Sequence, residues 1–361
     1  MNKFYKFNFL LFITIIIIGL IGFFALYSAA HGSLDPWAKK HIIRFFLSSL
    51  LLIFISLINL KFIYKYAYLF FIICLSLLLI VQIFGTLGYG AKRWVYLLGI
   101  SIQPSELIKI GIILALGKYY HDLRYDRIGK ISNLFLPLLI IFLPFTLIIL
   151  QPDLGTSLMI VVLGVAIMFS AGVKLWKFIL GSLSLIFIAP FVWNFLKPYQ
   201  QKRLFSFFNP ELDPLGSGYQ IIQSKIALGS GGIFGKGFLQ GTQSYLDYLP
   251  EKQTDFIFTL IGEEFGFLGL IFILILFLII IFICFYISVI SNNIFGRIVS
   301  IGISINLFLY VLLNTFMVTG LIPVVGVPIP LISHGGTVML SIMTCFGILM
   351  NIGINSNQKK L

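Results

Sequence analysis

The chain has 361 residues, 59% apolar and only 10% charged, with 25 lysines and arginines against 12 acids and a net charge of +13. An average soluble domain is roughly 25% charged, so this composition excludes a soluble protein and leaves a polytopic membrane protein. A nucleic-acid partner is excluded as well, because the cations are scattered along connections between apolar segments rather than gathered in one patch.

A span needs about 20 mostly apolar residues to cross ~30 Å of hydrocarbon. Ten segments qualify in chain order, near 8–30, 42–60, 66–84, 101–120, 131–150, 154–172, 177–195, 261–290, 298–319 and 333–353. The first is too long for a removable signal peptide and lacks its small-residue cleavage site, so it reads as a retained span. With both termini inside, the inner connections carry Lys3, Lys6, Lys61, Lys65, Lys118, Arg124, Arg127, Lys130, Lys174, Lys177, Arg297, Lys359 and Lys360. The outer ones carry Lys39, Lys40, Arg44, Lys92 and Arg93. This is the positive-inside asymmetry, and anionic inner-leaflet lipid suits it. The expected fold is a single all-α integral membrane domain over 1–361, with ten transmembrane helices, N-in and C-in. Pro137, Pro144 and Pro190 predict kinks in spans five and seven. Cys74, Cys284 and Cys345 lie in apolar segments without CxxC or Cys/His spacing, so neither a disulfide framework nor a thiolate metal site is expected.

The one long connection, 196–254, falls between spans seven and eight on the outer face. A loop of ~60 residues in a compact bundle is more often functional than idle. Within it YQIIQSKIAL has helical apolar spacing and predicts a short amphipathic helix. LGSGGIFGKG fails as a phosphate-binding loop: Ser230 stands where the first Gly belongs, and Gly237 follows Lys236 where Ser or Thr is needed. A flexible turn is the expectation.

Charge at membrane depth is costly and tends to face partners or wet cavities. Asp255 opens the eighth span with Thr254 available as a cap, and Asp255, Thr259, Gly262 and Glu263 share one helix face. Asp255 either complements the helix dipole or serves chemistry; Glu263 and Glu264 read as structural and ion-paired. In QPSELIK, Glu106 and Lys109 are spaced to pair with each other, or else Lys109 faces a cavity and attracts an anion that Glu106 helps to orient. Arg93 and Trp94 sit at the outer interface beside that segment. Asp153 in QPDLGT is an ordinary helix cap or a cavity acid. GLIPVVGVPIPLISHGGT, 320–337, is too rich in Pro and Gly for a helix yet apolar enough to dip into the membrane, with Ser333 and His334 near its end.

These motifs, GAKRW with QPSELIK, QPDLGT, GTQSYLDYLPEKQTDFIF with GEEFG, and PVVGVPIPLISHGGT, occur in the order found in the SEDS family of shape, elongation, division and sporulation proteins, which the whole chain resembles. GTQS before LDYLPE, and PVVGVPIP without a lysine, resemble its elongation members more than its division members. Two departures stand out: Gln253 where the family usually has His, and His334 where it has Tyr.

The resemblance implies a peptidoglycan glycosyltransferase that polymerises lipid II at the outer face of the cytoplasmic membrane. It also implies a class B penicillin-binding transpeptidase as partner, together with other membrane proteins of the elongation complex. On this reading Asp255 is the general base, and Lys109, Glu106, Arg93, Asp153, Glu251, Ser333 and His334 are candidate substrate contacts. No metal ligand set is assigned, and Mg or Mn is the one candidate cofactor. The rivals are a lipid II flippase, a division-type paralogue, an ion-coupled transporter and a scaffold for the transpeptidase.

Overall fold

A computed structural model of the protein describes residues 8–84, 86–88, 91–97, 100–181, 183, 201, 216–249 and 251–357. Six helices come first: α1 (Phe9–Ala29), α2 (Ala38–Leu57), α3 (Leu60–Phe84), α4 (Pro104–Asp122), α5 (Phe135–Leu150) and α6 (Leu154–Ser170). After the long connection follow α7 (Ser217–Gly231), the single-turn α8 (Thr242–Tyr245), α9 (Ile257–Ile290), α10 (Ile294–Val318) and α11 (Gly336–Ile354). Local chemistry fixes several starts. Asn8 accepts from Leu11 N at 3.0 Å, Asn293 caps α10 through Gly296 N at 2.5 Å, and Pro104 occupies the first turn of α4, where a missing N–H costs nothing.

Among the described residues, seven helices are long and apolar enough to cross a membrane: α1, α2, α3, the stretch Ile131–Leu150 ending in α5, α9, α10 and α11. The apolar α6 is 17 residues long, and α4 carries Glu106 and Lys109 in its interior. Nine of the ten expected segments are thus helical; the seventh, 177–195, lies mostly outside the described residues, as does Pro190. Pro144 does fall inside α5. The three cysteines are free and buried.

The all-helical expectation needs one correction. Between α3 and α4 the chain forms a small antiparallel sheet of β1 (Thr86–Gly88), β2 (Ala91–Leu97) and β3 (Ile100–Ile102), in that order. Thr86 faces Trp94 and Gly88 faces Ala91, while Val95 pairs with Ile102 and Leu97 with Ile100. Strands this short do not register in a window of membrane-span length.

The core is centred on α11, 83% of whose span is buried against 22% for α2. It rests on α2, and α10 packs on α4, α6 and α9. Asn351 on α11 donates to the carbonyls of Ile55 (3.0 Å), Ser56 (3.2 Å) and Ile58 (2.5 Å). Those are carbonyls at the end of α2 that an apolar environment could not otherwise satisfy.

The longest helix is broken. Gly266 has φ +66, inside what is otherwise a 34-residue α9. The freed backbone groups are taken up by 232–237: Phe267 N donates to Gly232 O (2.9 Å), Leu268 N to Ile233 O (3.2 Å), Lys236 N to Glu263 O (3.0 Å) and Gly237 N to Glu264 O (2.9 Å). LGSGGIFGKG is therefore a fitted insert rather than the flexible turn expected of it. Its many glycines reflect backbone packed on backbone.

A side chain at Gly266 meets both a left-handed φ and Ile233 O, 2.5 Å from where a Cβ would stand. Gly266→Ala should cost about 1–3 kcal/mol and lower the thermal midpoint of the detergent-solubilised protein. Gly229→Ala, with open space around it, should leave that midpoint within a degree or two of the parent, a shift of about 0.5 kcal/mol or less.

Candidate active site

Four helix starts converge on one cavity of about 340 Å³: Gln103 precedes α4, Asp153 precedes α6, Asp255 precedes α9 and Gly335 precedes α11, and all four line it. Trp94 of β2, Gln220 of α7, Glu251, Thr254 and His334 complete the polar part of the wall. Three carboxylates, Asp153, Glu251 and Asp255, thus share one space in a chain with 12 acids.

Asp255 is held through its backbone. Asn314 of α10, fully buried, donates to Asp255 O at 2.8 Å and to Val327 O at 2.7 Å. Ser333 Oγ donates to Thr254 O at 2.6 Å and accepts from Ile329 N at 2.9 Å. His334 N donates to Gln253 O at 2.8 Å. The loop before α9 and the irregular 320–335 segment are thereby stitched together. Gly326 (φ +69) then lies against the carboxylate, and a Cβ there would stand 3.3 Å from Asp255 Oδ2. Thr254 does not cap the helix as expected: its hydroxyl donates to Glu251 Oε2 at 3.0 Å, and α9 begins at Ile257 without a side-chain cap. The cause is the left-handed turn at Glu251 (φ +58), to whose carbonyl Thr254 N (3.0 Å) and Phe256 N (3.3 Å) both donate.

Asp153 fills both roles considered for it. It caps α6 by accepting from Thr156 N (3.2 Å) and Thr156 Oγ1 (3.0 Å), and it also lines the cavity. The polar face of α9 meets protein, as expected of a membrane helix. Thr259 shares a 2.8 Å hydrogen bond with Ser224 of α7. Glu263 pairs with Lys236 at 2.8 Å and accepts from Gln243 N and Ser244 N at the start of α8. Glu264, by contrast, accepts from Ser28 of α1 and pairs with no cation among the described residues.

Two expected substrate contacts stand elsewhere. Lys109 donates to Glu106 at 2.8 Å and to Tyr310 OH, and Tyr310 OH donates to the other oxygen of Glu106. Lys109 is 1% and Glu106 4% exposed, so the triad is sealed between α4 and α10 and neither residue lines the cavity. The i,i+3 spacing had offered this pairing, and burial decides for it. Ser333, also buried, spends its hydroxyl on backbone, so it shapes the site without facing it. The side chain of Arg93, on β2, lies outside the described residues.

Three residues escaped sequence reading. Asn314 sits in an apolar helix with nothing to single it out. Lys252, 5% exposed, donates to Ser244 O (2.6 Å), Asp247 Oδ1 (2.6 Å) and His31 Nε2 (3.3 Å), tying the loop to the end of α1. The Lys252 bond holds the Asp247 carboxyl below the ordinary carboxylate range. Arg44 of α2 reaches His334, with Nη1 3.3 Å from Nε2. Burial and then the Arg44 charge push the His334 imidazole down to about 4, so it is neutral at physiological pH.

Removing one member of the sealed pair strands a buried charge. Lys109→Met or Glu106→Gln alone should each destabilise by about 3–5 kcal/mol, and the double variant by less than their sum. Thermal unfolding of the three purified variants measures this.

Comparison with known proteins places the chain. The sequence pattern of the FtsW/RodA/SpoVE cell cycle proteins matches residues 7–358. The peptidoglycan glycosyltransferase MrdB of Escherichia coli K12 is 42% identical over 286 residues, 78% of this chain and 76% of that protein. Among solved structures, a chain of a peptidoglycan synthase complex that coordinates polymerization and crosslinking superposes with a TM-score of 0.84 at 27% identity, covering 98% of this chain and 99% of that one. The rod shape determining protein RodA of Thermus thermophilus gives a TM-score of 0.74 at 23% identity, covering 98% of both chains, and so shares the fold. The motif order read from the sequence and the match over nearly its full length agree: this chain belongs to the SEDS family of multi-pass membrane proteins.

Proposed function

We propose that this chain is a peptidoglycan glycosyltransferase that polymerises lipid II during cell elongation, with Asp255 as its general base. The observation that carries the reading is the position of Asp255 in a cavity with Asp153, Glu251, Trp94 and four helix starts. Helix starts carry positive partial charge and favour an anion such as a diphosphate, while carboxylates suit sugar hydroxyls.

The reaction needs little else. The 4-hydroxyl of the acceptor GlcNAc gives its proton to Asp255 as its oxygen bonds to the anomeric carbon of the donor MurNAc. The bond from that carbon to the diphosphate oxygen breaks with its electron pair, and undecaprenyl diphosphate departs. Attack opposite an α-linked leaving group gives a β linkage. A positioned base supplies about 10²–10⁴-fold. Asp153 and Glu251 are placed to accept from sugar hydroxyls, and Trp94 offers an apolar face. Among the described residues no three His, Cys, Asp or Glu side chains come close enough together to hold a metal ion, and Mg or Mn entering with the diphosphate is the form of cofactor proposed.

The ten-span, N-in and C-in arrangement puts this cavity on the outer face of the cytoplasmic membrane. Parity supports it: α4, α6, α9 and α11 all begin at the cavity. The chain must therefore return across the bundle between each successive pair. α5 and α10 make two of those crossings, and the third falls to the span expected at 177–195. A class B penicillin-binding transpeptidase is the proposed partner, within an elongation complex, by analogy with the synthase complex of similar fold. The elongation assignment over the division one rests on GTQS before LDYLPE and on PVVGVPIP. A flippase is disfavoured because Glu106 and Lys109, the interior charges that would mark its route, are sealed with Tyr310.

Asp255→Asn should abolish glycan synthesis from purified lipid II, a loss of about 10²-fold or more, while the protein still folds and binds its transpeptidase. Gel-resolved fluorescent product measures this, and chains of ordinary length from the variant would overturn the assignment.

A further inference from the structure

An inverting displacement from a diphosphate needs cations at the leaving oxygens, and the lysine expected to supply one is locked in the Glu106–Tyr310 triad. Among the described side chains that reading therefore needs another cation, the side chain of Arg93 lying outside them. Resting on that reading, we propose that Arg44 and Lys40, on one face of α2, form the diphosphate subsite, with His334 joining it to the Asp255 cavity.

Arg44 is half-buried at the end of α2 nearest the site, and its guanidinium lies on the first turn of α11. That turn is bare: a Cβ on Gly336 would stand 3.2 Å from Arg44 Cζ. Among the described residues neither Arg44 nor Lys40 makes an ion pair. His334, which Arg44 touches, lines the cavity that also holds Asp255. Lys40 and Arg44 are four residues apart on one helix, where like charges repel by about 0.2–0.5 kcal/mol. A bound polyanion would turn that repulsion into attraction for both.

His334 stands between Arg44 and the Asp255 cavity, touching the one and lining the other. A guanidinium only donates, so the 3.3 Å contact assigns a lone pair to His334 Nε2 and its proton to Nδ1. The ring stays neutral, kept so by burial and by the Arg44 and Lys40 charges around it. A neutral imidazole orients Arg44 without competing with it for the ligand. The two departures from the family pattern, Gln253 and His334, also touch one another through the 2.8 Å bond from His334 N to Gln253 O. Gln253 lies two residues before Asp255, so one backbone bond links the residue that touches Arg44 to the segment of the base. The ligand is a diphosphate, whether lipid-linked or free.

The test measures binding in the Asp255→Asn protein, where nothing turns over. Undecaprenyl diphosphate in detergent is one probe and inorganic diphosphate the other, with affinity read by calorimetry. Arg44→Met should weaken undecaprenyl diphosphate about tenfold or more, the loss of one charge-assisted contact. Lys40→Met, at an exposed position that leaves the fold intact, should weaken it about threefold or more. Arg44→Lys should recover part of the loss. A parallel weakening of inorganic diphosphate supports a subsite that reads the head group alone; weakening confined to the lipid probe supports one that needs the tail. Unchanged affinity for both probes in Arg44→Met and Lys40→Met overturns the proposal. Glycan synthesis by Asp255→Asn would instead sink the general-base reading and leave this subsite standing.

Discussion

One side-chain amide holds the site together. Asn314 has two N–H donors and spends them on carbonyls from two separate segments, Asp255 O and Val327 O. Irregular backbone at membrane depth is tolerated only where its polar groups find partners in protein or water. Both the loop before α9 and the 320–335 segment are of that kind, and each solves the other's problem. Ser333 and His334 N repeat the solution at Thr254 and Gln253. The position of the Asp255 carboxylate thus follows from how backbone is satisfied in an apolar medium, before any catalytic demand is considered.

The ionisable residues fall into two groups on the same logic. Glu106, Lys109 and Tyr310 neutralise one another out of reach of water, and the partly exposed Lys236 pairs with the buried Glu263 beneath the 231–237 insert. These contribute shape. Asp153, Glu251 and Asp255 remain at a cavity, and Arg44 and Lys40 stand beside it without acid partners among the described residues.

Much of this was legible in the sequence, for reasons that also set the limits. Apolar length located every described span, and the scarcity of charge made the acids conspicuous, so Asp255, Asp153 and Glu251, which line the cavity, stood out. Proline and glycine in 320–337 announced irregular backbone. What escaped was decided by three-dimensional partnership. Lys109 could pair or face a cavity, and only the Tyr310 hydroxyl from 201 residues away settles which. Asn314 and Arg44 act through contacts that no local spacing announces. The glycines of 231–237 looked like slack because their partner, a broken helix turn, lies about thirty residues on.

That break has a consequence for how the chain tolerates change. Above Gly266, from Ile257 to Glu264, every residue of α9 is enclosed by protein. Below it burial falls to a stripe, Ile273, Leu276, Phe277, Ile280, Ile283, Cys284 and Ile287, with Phe272, Phe282 and Tyr286 turned outward. One helix therefore obeys two selection regimes, meeting at a single glycine. The segment before Gly266 can drift only in concert with its neighbours, whereas the one after it is free to exchange one greasy side chain for another as the surrounding lipid changes.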